Sequence, residues 1–404
     1  MSKITNPTLV PELRFPEFIN SWEIKHIGKV AENLDSKRKP ITQQDRVSGS
    51  TPYYGASGII DYVDGYIYDE SLLCISEDGA NLIARSYPIA FSIHGKTWVN
   101  NHAHVLKFKY SYTQTIVENY LNNISLEDYL TGMAQPKLNR AKLDIIPIPL
   151  PLDLKEQQKI AAFLSSMDDL ITTNNKKLDS LKLHKKGLLQ KLFPAEGKNI
   201  PELRFDGFEG EWEEVELRKL GDLISGLTYS PDDVRASGLL VLRSSNVQNG
   251  KIVYEDNVFV EPNIKGANIS EPDDILICVR NGSKALIGKN ALIPQNVPLS
   301  THGAFMTMFR SKCAQFTFQL LQTDAYQKQV DADLGATINS INGKQLLKYK
   351  FKIPRSNDEK EMIVSCLSSL DDLINAQTDK IEVLKEYKKG LMQQLFPEIK
   401  ETIA

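Results

Sequence analysis

The sequence predicts an α+β protein in which two globular domains are joined by two long helices forming an antiparallel coiled coil, the whole a pseudo-two-fold internal duplication. Three observations predict this. PELRF stands at 11–15 and again at 201–205, each time followed by Trp-Glu, at Trp22-Glu23 and Trp212-Glu213. SSMDDLI (165–171) returns as SSLDDLI (368–374), and KKGLLQKLFP (185–194) returns as KKGLMQQLFP (388–397). The arm motif recurs at an offset of 190 residues and the later motifs at 203, so the stretch between them is longer in the second copy. A period of roughly 200 residues is too long for a solenoid and means a duplication.

Read in order, the chain is an N-terminal arm (1–19), a globular domain (20–153) and a long helix (154–194). A linker with the repeated arm (195–210), a second domain (211–355), a second helix (356–397) and a tail (398–404) complete it. The helices are predicted from their seams. Ile160, Leu164, Met167, Ile171, Asn174, Leu178, Leu181, Lys185, Leu188 and Leu192 step by four and three, as do Ile363, Leu367, Leu370, Ile374, Gln377, Ile381, Leu384, Lys388, Leu391 and Leu395. Such a repeat is a coiled-coil seam, and proline in each LFP ends it. Asn174 and Gln377 interrupt the seams near their middles, where a polar residue fixes register at some cost in stability.

The globular domains carry short apolar runs such as SLLCIS (71–76), HVLKFKY (104–110), DILICV (274–279) and AFMTMF (304–309), separated by Gly, Asn and Pro turns. These predict strands, with helices around 112–122 and 314–331. In PELRF, Leu13 and Phe15, with Leu203 and Phe205, are expected to pack on the helix ends, the second helix supplying the neighbour that the first arm lacks in sequence.

Composition narrows the function. No run of 18 apolar residues suggests a membrane span, and the N-terminus lacks the apolar stretch of a signal peptide. Four cysteines with no CxxC pair fit a reducing cytoplasm. Net charge is −3, and residues 20–153 hold 13 Lys/Arg against 15 Asp/Glu while 211–354 hold 16 of each. Any attraction to phosphate must therefore come from local patches. Gly95-Lys96-Thr97 has Ala90 where a phosphate loop needs its first glycine. No two prolines are adjacent, which excludes the Asn/Asp-Pro-Pro-aromatic box of amino-methyltransferases. His102 and His104 could share a strand face and a metal, but no third ligand is evident, and a hydrogen-bonding role is expected. No catalytic residue and no metal site is proposed: the chain reads as a non-catalytic recognition protein.

The arm, the IPIPLP or FKIP closing run and the SSxDDLI…KKGLxQxLFP helix, all present twice, resemble specificity subunits of type I restriction-modification systems. TPYYGASGIIDYVDGY (51–66) and VLRSSNVQNGKI (241–252) are similar to segments of that family's target-recognition domains. The resemblance implies that each domain reads one half of a bipartite, asymmetric DNA target while the helices hold the spacing. It implies double-stranded DNA, two methyltransferase subunits and restriction/translocase subunits as partners. S-adenosylmethionine, ATP and Mg then belong to the partners, with no cofactor in this chain. The alternatives are a specificity component for a fused methylase-nuclease and a coiled-coil structural protein that binds no DNA.

Base edges are read by Arg or Lys on guanine and Asn or Gln on adenine, with amides and hydroxyls on phosphate. The candidate DNA-binding residues are accordingly Tyr53, Tyr54, Ser57, Asp78, Asn81, Lys96, His102, Lys137, Asn139 and Arg140 in the first domain. In the second they are Tyr229, Arg243, Asn246, Arg280, Asn281, Lys284, His302, Asn342 and Lys344. Asn139 matches Asn342, and Gly79 matches Gly282, at the 203 offset.

Overall fold

The computed structural model describes residues 9–132, 135–334 and 339–399. The start of the arm, most of the tail and the first two residues of TINSINGK (337–344) lie outside them. The chain divides into two compact units, 1–176 with 378–404 and 177–377. Each unit takes an arm, a globular block, and part of both long helices.

In the first unit, strands Ala31–Asn33, Ala103–Phe108, Leu72–Ser76 and Ala90–Ile93 form an antiparallel sheet in that order. Its helix, Ser111–Asn123, is tied to the last of these strands: Asn122 Oδ1 accepts from the amides of Ile89 and Ala90. A second sheet has the order Gly58–Val63, Ser48–Gly55, Lys96–Val99, Tyr68–Asp69, and its two middle strands run parallel. The closing run forms strand Pro147–Pro151, which pairs with Trp22–His26. Its prolines at every second position leave one edge without N–H groups, so only the other edge pairs.

The second unit repeats this plan. One antiparallel sheet orders Gly221–Ser225, Met306–Ser311, Ile275–Cys278 and Asn290–Leu292. The other orders Val234–Arg235, Phe259–Val260, Leu239–Leu242 and Ser300–His302, the last two parallel. The expected helix over 314–331 is two, Ala314–Leu320 and Asp324–Asp333. The break falls at Thr323, whose hydroxyl caps the second helix by accepting from the Tyr326 amide.

Both long helices have 39 residues, Leu154–Leu192 and Asn357–Leu395. In the first unit Ile160, Ala161 and Leu164 share a core with Met392, Leu395 and Phe396. Asp168 there meets Lys388, so the two helix segments run antiparallel. In the second unit Leu189, Leu192 and Phe193 share a core with Ile363 and Leu367, and Lys185 meets Asp371. The charged interruptions of the seams are therefore matched: the Lys of each KKGL motif pairs with the first Asp of the other copy's SSxDDL. Asn174 and Gln377 are both buried.

The arms close each unit. Arg14 donates through Nε and Nη2 to the two carboxylate oxygens of Glu156, at 2.7 and 2.8 Å, and Trp22 Nε1 adds a bond of 3.1 Å. Arg204, Trp212 and Glu359 repeat this at 2.8, 3.0 and 3.1 Å. Phe15 packs edge-on to Phe163 of the first helix and Trp22 edge-on to Phe396, while the Leu13 amide donates to the Gln394 carbonyl, so the end of the second helix does supply the first arm's neighbour. The leucines differ from expectation: Leu203 is 43% exposed, and Leu13 and Leu203 act through their backbone amides, which donate to the carbonyls of Gln394 and Lys191. The phenylalanines carry the apolar packing.

Candidate nucleic-acid interface

In each unit several loops converge where the parallel strands end. The Asn100 amide donates to the Tyr54 carbonyl, and the Gly303 amide to the Leu242 carbonyl. Just beyond, Glu77 donates to the His102 carbonyl, and Val279 to that of Phe305. A third segment is stitched on by a matched ladder. Gly79 N bonds Pro136 O and Leu138 N bonds Glu77 O in the first unit; Asn281 N bonds Asn339 O and Ile341 N bonds Val279 O in the second. The residues bridged within these ladders are Asp78 with Lys137 and Arg280 with Ser340. The ladder therefore makes Asn281 the equivalent of Gly79, one residue from the glycine match seen in sequence. The second copy gains its extra length just before this point: Val279 stands 37 positions after Leu242, and Glu77 only 23 after Tyr54.

Many candidate residues converge on these loop faces. In the first unit Ser57 is exposed at the turn of a hairpin, and that turn is joined to the face by Ser76 Oγ, which donates to the Ala56 carbonyl at 2.5 Å. His102 is half exposed with Nδ1 2.8 Å from Asp78, and exposed Lys137 lies 3.1 Å from Glu77. Arg140 is exposed and 3.6 Å from Asp144. Asn81 is beside them, but its amide is taken up by the backbone of Tyr87 through two bonds. In the second unit Arg280 is exposed with its guanidinium 5.5 Å from the Phe305 ring centroid, and Asn281 Nδ2 donates to Ser244 Oγ at 3.0 Å. Lys284 and Lys344 are exposed. Arg243 donates to the Asp256 carboxylate at 2.8 Å, and half-buried Tyr229 flanks Gly303.

Other candidates serve the scaffold. Tyr53 is 1% exposed and its hydroxyl accepts from the Ile41 amide, so it is a core residue. Tyr54 stacks on Phe91, and burial raises its phenol above the usual range. Asn246 is fully buried, accepting from the Arg243 amide and donating to the carbonyls of Val253 and Glu255. His302 is fully buried, its Nε2 3.0 Å from the Ile224 carbonyl, and burial pushes its pKa down to about 4. Asn139 and Asn342 cap equivalent short helices, Arg140–Asp144 and Gly343–Leu346. Lys96 sits at the start of its strand, with its ammonium over the Tyr66 ring, at the end remote from the converging loops.

His102 and His104 do not act together. Residue 102 lies in the turn before the strand, so the strand alternation that would align the two rings does not apply. His104 is buried, with Nδ1 2.6 Å from Asp35 and Nε2 2.7 Å from the Leu138 carbonyl. Asp35, Glu77 and His104 are the one group of potential metal ligands close together among the described residues. Arg38, which donates to Glu77 at 2.6 Å and to the Ala103 carbonyl at 2.8 Å, already supplies a cation there. Burial works to raise both carboxyls, but the bonds from His104 to Asp35 and from Arg38 to Glu77 hold them below the ordinary range. This network underpins the loop face.

Sequence reasoning missed Phe305, 59% exposed on the face of the second unit, because AFMTMF read as one strand; the strand begins at Met306. Ser244 and Asn339 were also missed, with no signal beyond their place in polar turns.

A duplicated frame with different side chains at matched backbone positions defines a class of protein, the double recognition module. This chain belongs to the family of type I restriction modification DNA specificity domains, whose model matches residues 19–183 and 209–386. It is 26% identical to the MjaVIII type I restriction enzyme specificity subunit of Methanocaldococcus jannaschii, over 95% of this chain and 93% of that one. A Haemophilus influenzae protein assigned as a type I restriction enzyme specificity subunit is 38% identical over 148 residues, which span 37% of this chain and 38% of that protein. The fold matches the crystal structure of the type I restriction-modification S subunit from M. genitalium with a TM-score of 0.62 and 15% identity, covering 97% and 100% of the two chains.

Proposed function

We propose that this chain is the sequence-specific DNA-binding subunit of a type I restriction-modification complex, each loop face reading one half of a bipartite target. The observation that carries this is the matched ladder: identical backbone nodes present Asp78 and Lys137 in one unit and Arg280 and Ser340 in the other. A purely structural dimeriser has no use for such divergence on a retained frame. The helices hold the spacing and dock two methyltransferase subunits, which restriction/translocase subunits join. S-adenosylmethionine, ATP and Mg act on those partners, and this chain performs no catalysis. No described helix is long and apolar enough to cross a membrane, and the complex works in the cytoplasm.

The test is co-expression with the methyltransferase subunit, followed by long-read mapping of methylated adenines. A bipartite motif that depends on this gene is expected, and exchange of residues 20–150 for the equivalent block of another such subunit should change one half-site only. Methylation by the purified chain alone, or a change in both halves, would refute the assignment.

A further inference from the structure

The matched ladder makes Asp78 in the first unit the equivalent of Arg280 in the second and, through the Glu77 and Val279 amides, His102 the equivalent of Phe305. Within each unit the two residues at the node touch, Asp78 with His102 and Arg280 with Phe305, and the two contacts have opposite polarity. In the first unit His102 Nδ1 sits 2.8 Å from the Asp78 carboxylate. Nδ1 also lies 3.0 Å from the other Asp78 oxygen, so the ring braces the carboxylate, whose remaining lone pairs are acceptors. In the second unit Arg280 lies over the Phe305 ring, 5.5 Å from its centroid. Stacking orients a guanidinium plane while leaving the N–H edge available, and no hydrogen bond from the Arg280 side chain is found among the described residues. One node offers acceptors and the other donors.

We infer that these equivalent nodes are specificity-determining positions: Arg280, braced by Phe305, reads a guanine in the second unit's half-site, and Asp78, braced by His102, reads an amine-bearing base, cytosine or adenine, in the first unit's. Guanine presents O6 and N7 acceptors to a guanidinium fork, whereas cytosine N4 and adenine N6 are the major-groove donors that a carboxylate accepts from. The inference rests on the proposed DNA-reading function and adds to it which residue pair reads which base chemistry.

The test uses the full chain co-expressed with its methyltransferase subunits, with the methylated motif mapped genome-wide and binding measured on duplexes altered at each base pair. Arg280→Ala is expected to relax one position, a guanine in the wild-type motif, so that discrimination there falls from on the order of tenfold or more to within about twofold. The other half-site stays unchanged. Asp78→Ala should relax one cytosine or adenine in the opposite half. Melting temperature is recorded for each variant, and if Arg280→Ala is destabilised, Arg280→Met replaces it, keeping an apolar stem against Phe305 and losing every donor. A folded Arg280 variant with undiminished discrimination, or relaxation at a position that is not a guanine, overturns the inference. Exchange of residues 211–354 separates the two levels. If it changes a half-site while Arg280→Ala changes none, the node is wrong and the DNA-reading function stands; if the exchange changes neither half, that function itself fails.

Discussion

Trp22 Nε1 donates to Glu156 Oε1 at 3.1 Å, joining the strand Trp22–His26 to the first turn of the central helix, and the Glu156 side chain is only 1% exposed. A buried carboxylate in that position needs a counter-charge, which Arg14 provides through both its oxygens. The guanidinium is held above its ordinary pKa by this bond.

Arg14→Ala is therefore expected to destabilise the first unit by about 3 kcal/mol, because it leaves the Glu156 charge buried and unpaired. Arg14→Ala combined with Glu156→Leu should recover most of that loss. Urea unfolding of the two variants and the wild type tests this. Equal stability of the single and double variants would show that the charge is not the source of the cost.

The helix pairs give a second expectation. Lys185–Asp371 at 2.6 Å and Lys388–Asp168 at 2.5 Å are partly exposed ion pairs, so each is worth about 0.5–1 kcal/mol. Lys185→Asp should cost more than this, since Gln319 Nε2 also donates to Asp371 and a second carboxylate would face the first. Adding Asp371→Lys should restore stability. A double-mutant cycle measured by thermal melting reads the coupling, and a coupling energy near zero would contradict the pairing.

Asn139 and Asn342 are helix caps, and loss of a cap costs about 1 kcal/mol. Asn139→Ala and Asn342→Ala are expected to lower stability by about that amount and leave the methylated motif unchanged. Tyr53→Phe should behave likewise, through the lost bond to the Ile41 amide. A changed motif in any of the three would return that residue to the reading surface.

His302 gives the pH dependence. Its ordinary value of 6.5 is pushed down to about 4 by burial, so the unfolded chain binds a proton that the folded one rejects. Stability from this residue is fully present above pH 6.5 and is lost as pH falls toward 4. The amount is on the order of 3 kcal/mol across that window. Urea midpoints at pH 4.5 and 7 should converge in His302→Gln relative to wild type. An unaltered pH slope in that variant would assign the dependence elsewhere.

The large design was legible because it is written in periodicities. Seam residues from Ile160 to Leu192 announce the helix, and the repeated motifs announce two copies. The functional surface was less legible, since polarity alone does not distinguish a capping Asn139 or a core-bonded Asn246 from a side chain facing solvent. Tyr53 carried a usable warning: within Ser48–Gly55, Thr51, Tyr53 and Gly55 point to the core with strand period two. The equivalence of Asp78 and Arg280 could not be matched from sequence, because the backbone register differs by one residue from the offset that the glycines suggest. Hydrogen bonds between distant segments decide that register.

The pairing of each KKGL lysine with the other copy's aspartate bears on ancestry. Lys185 comes from the first half of the gene and its partner Asp371 from the second, while Lys388 and Asp168 reverse that origin. Neither half of the gene therefore encodes a complete compact unit. An ancestor with a single arm, block and helix could have satisfied its own aspartate and lysine only by meeting a second copy of itself.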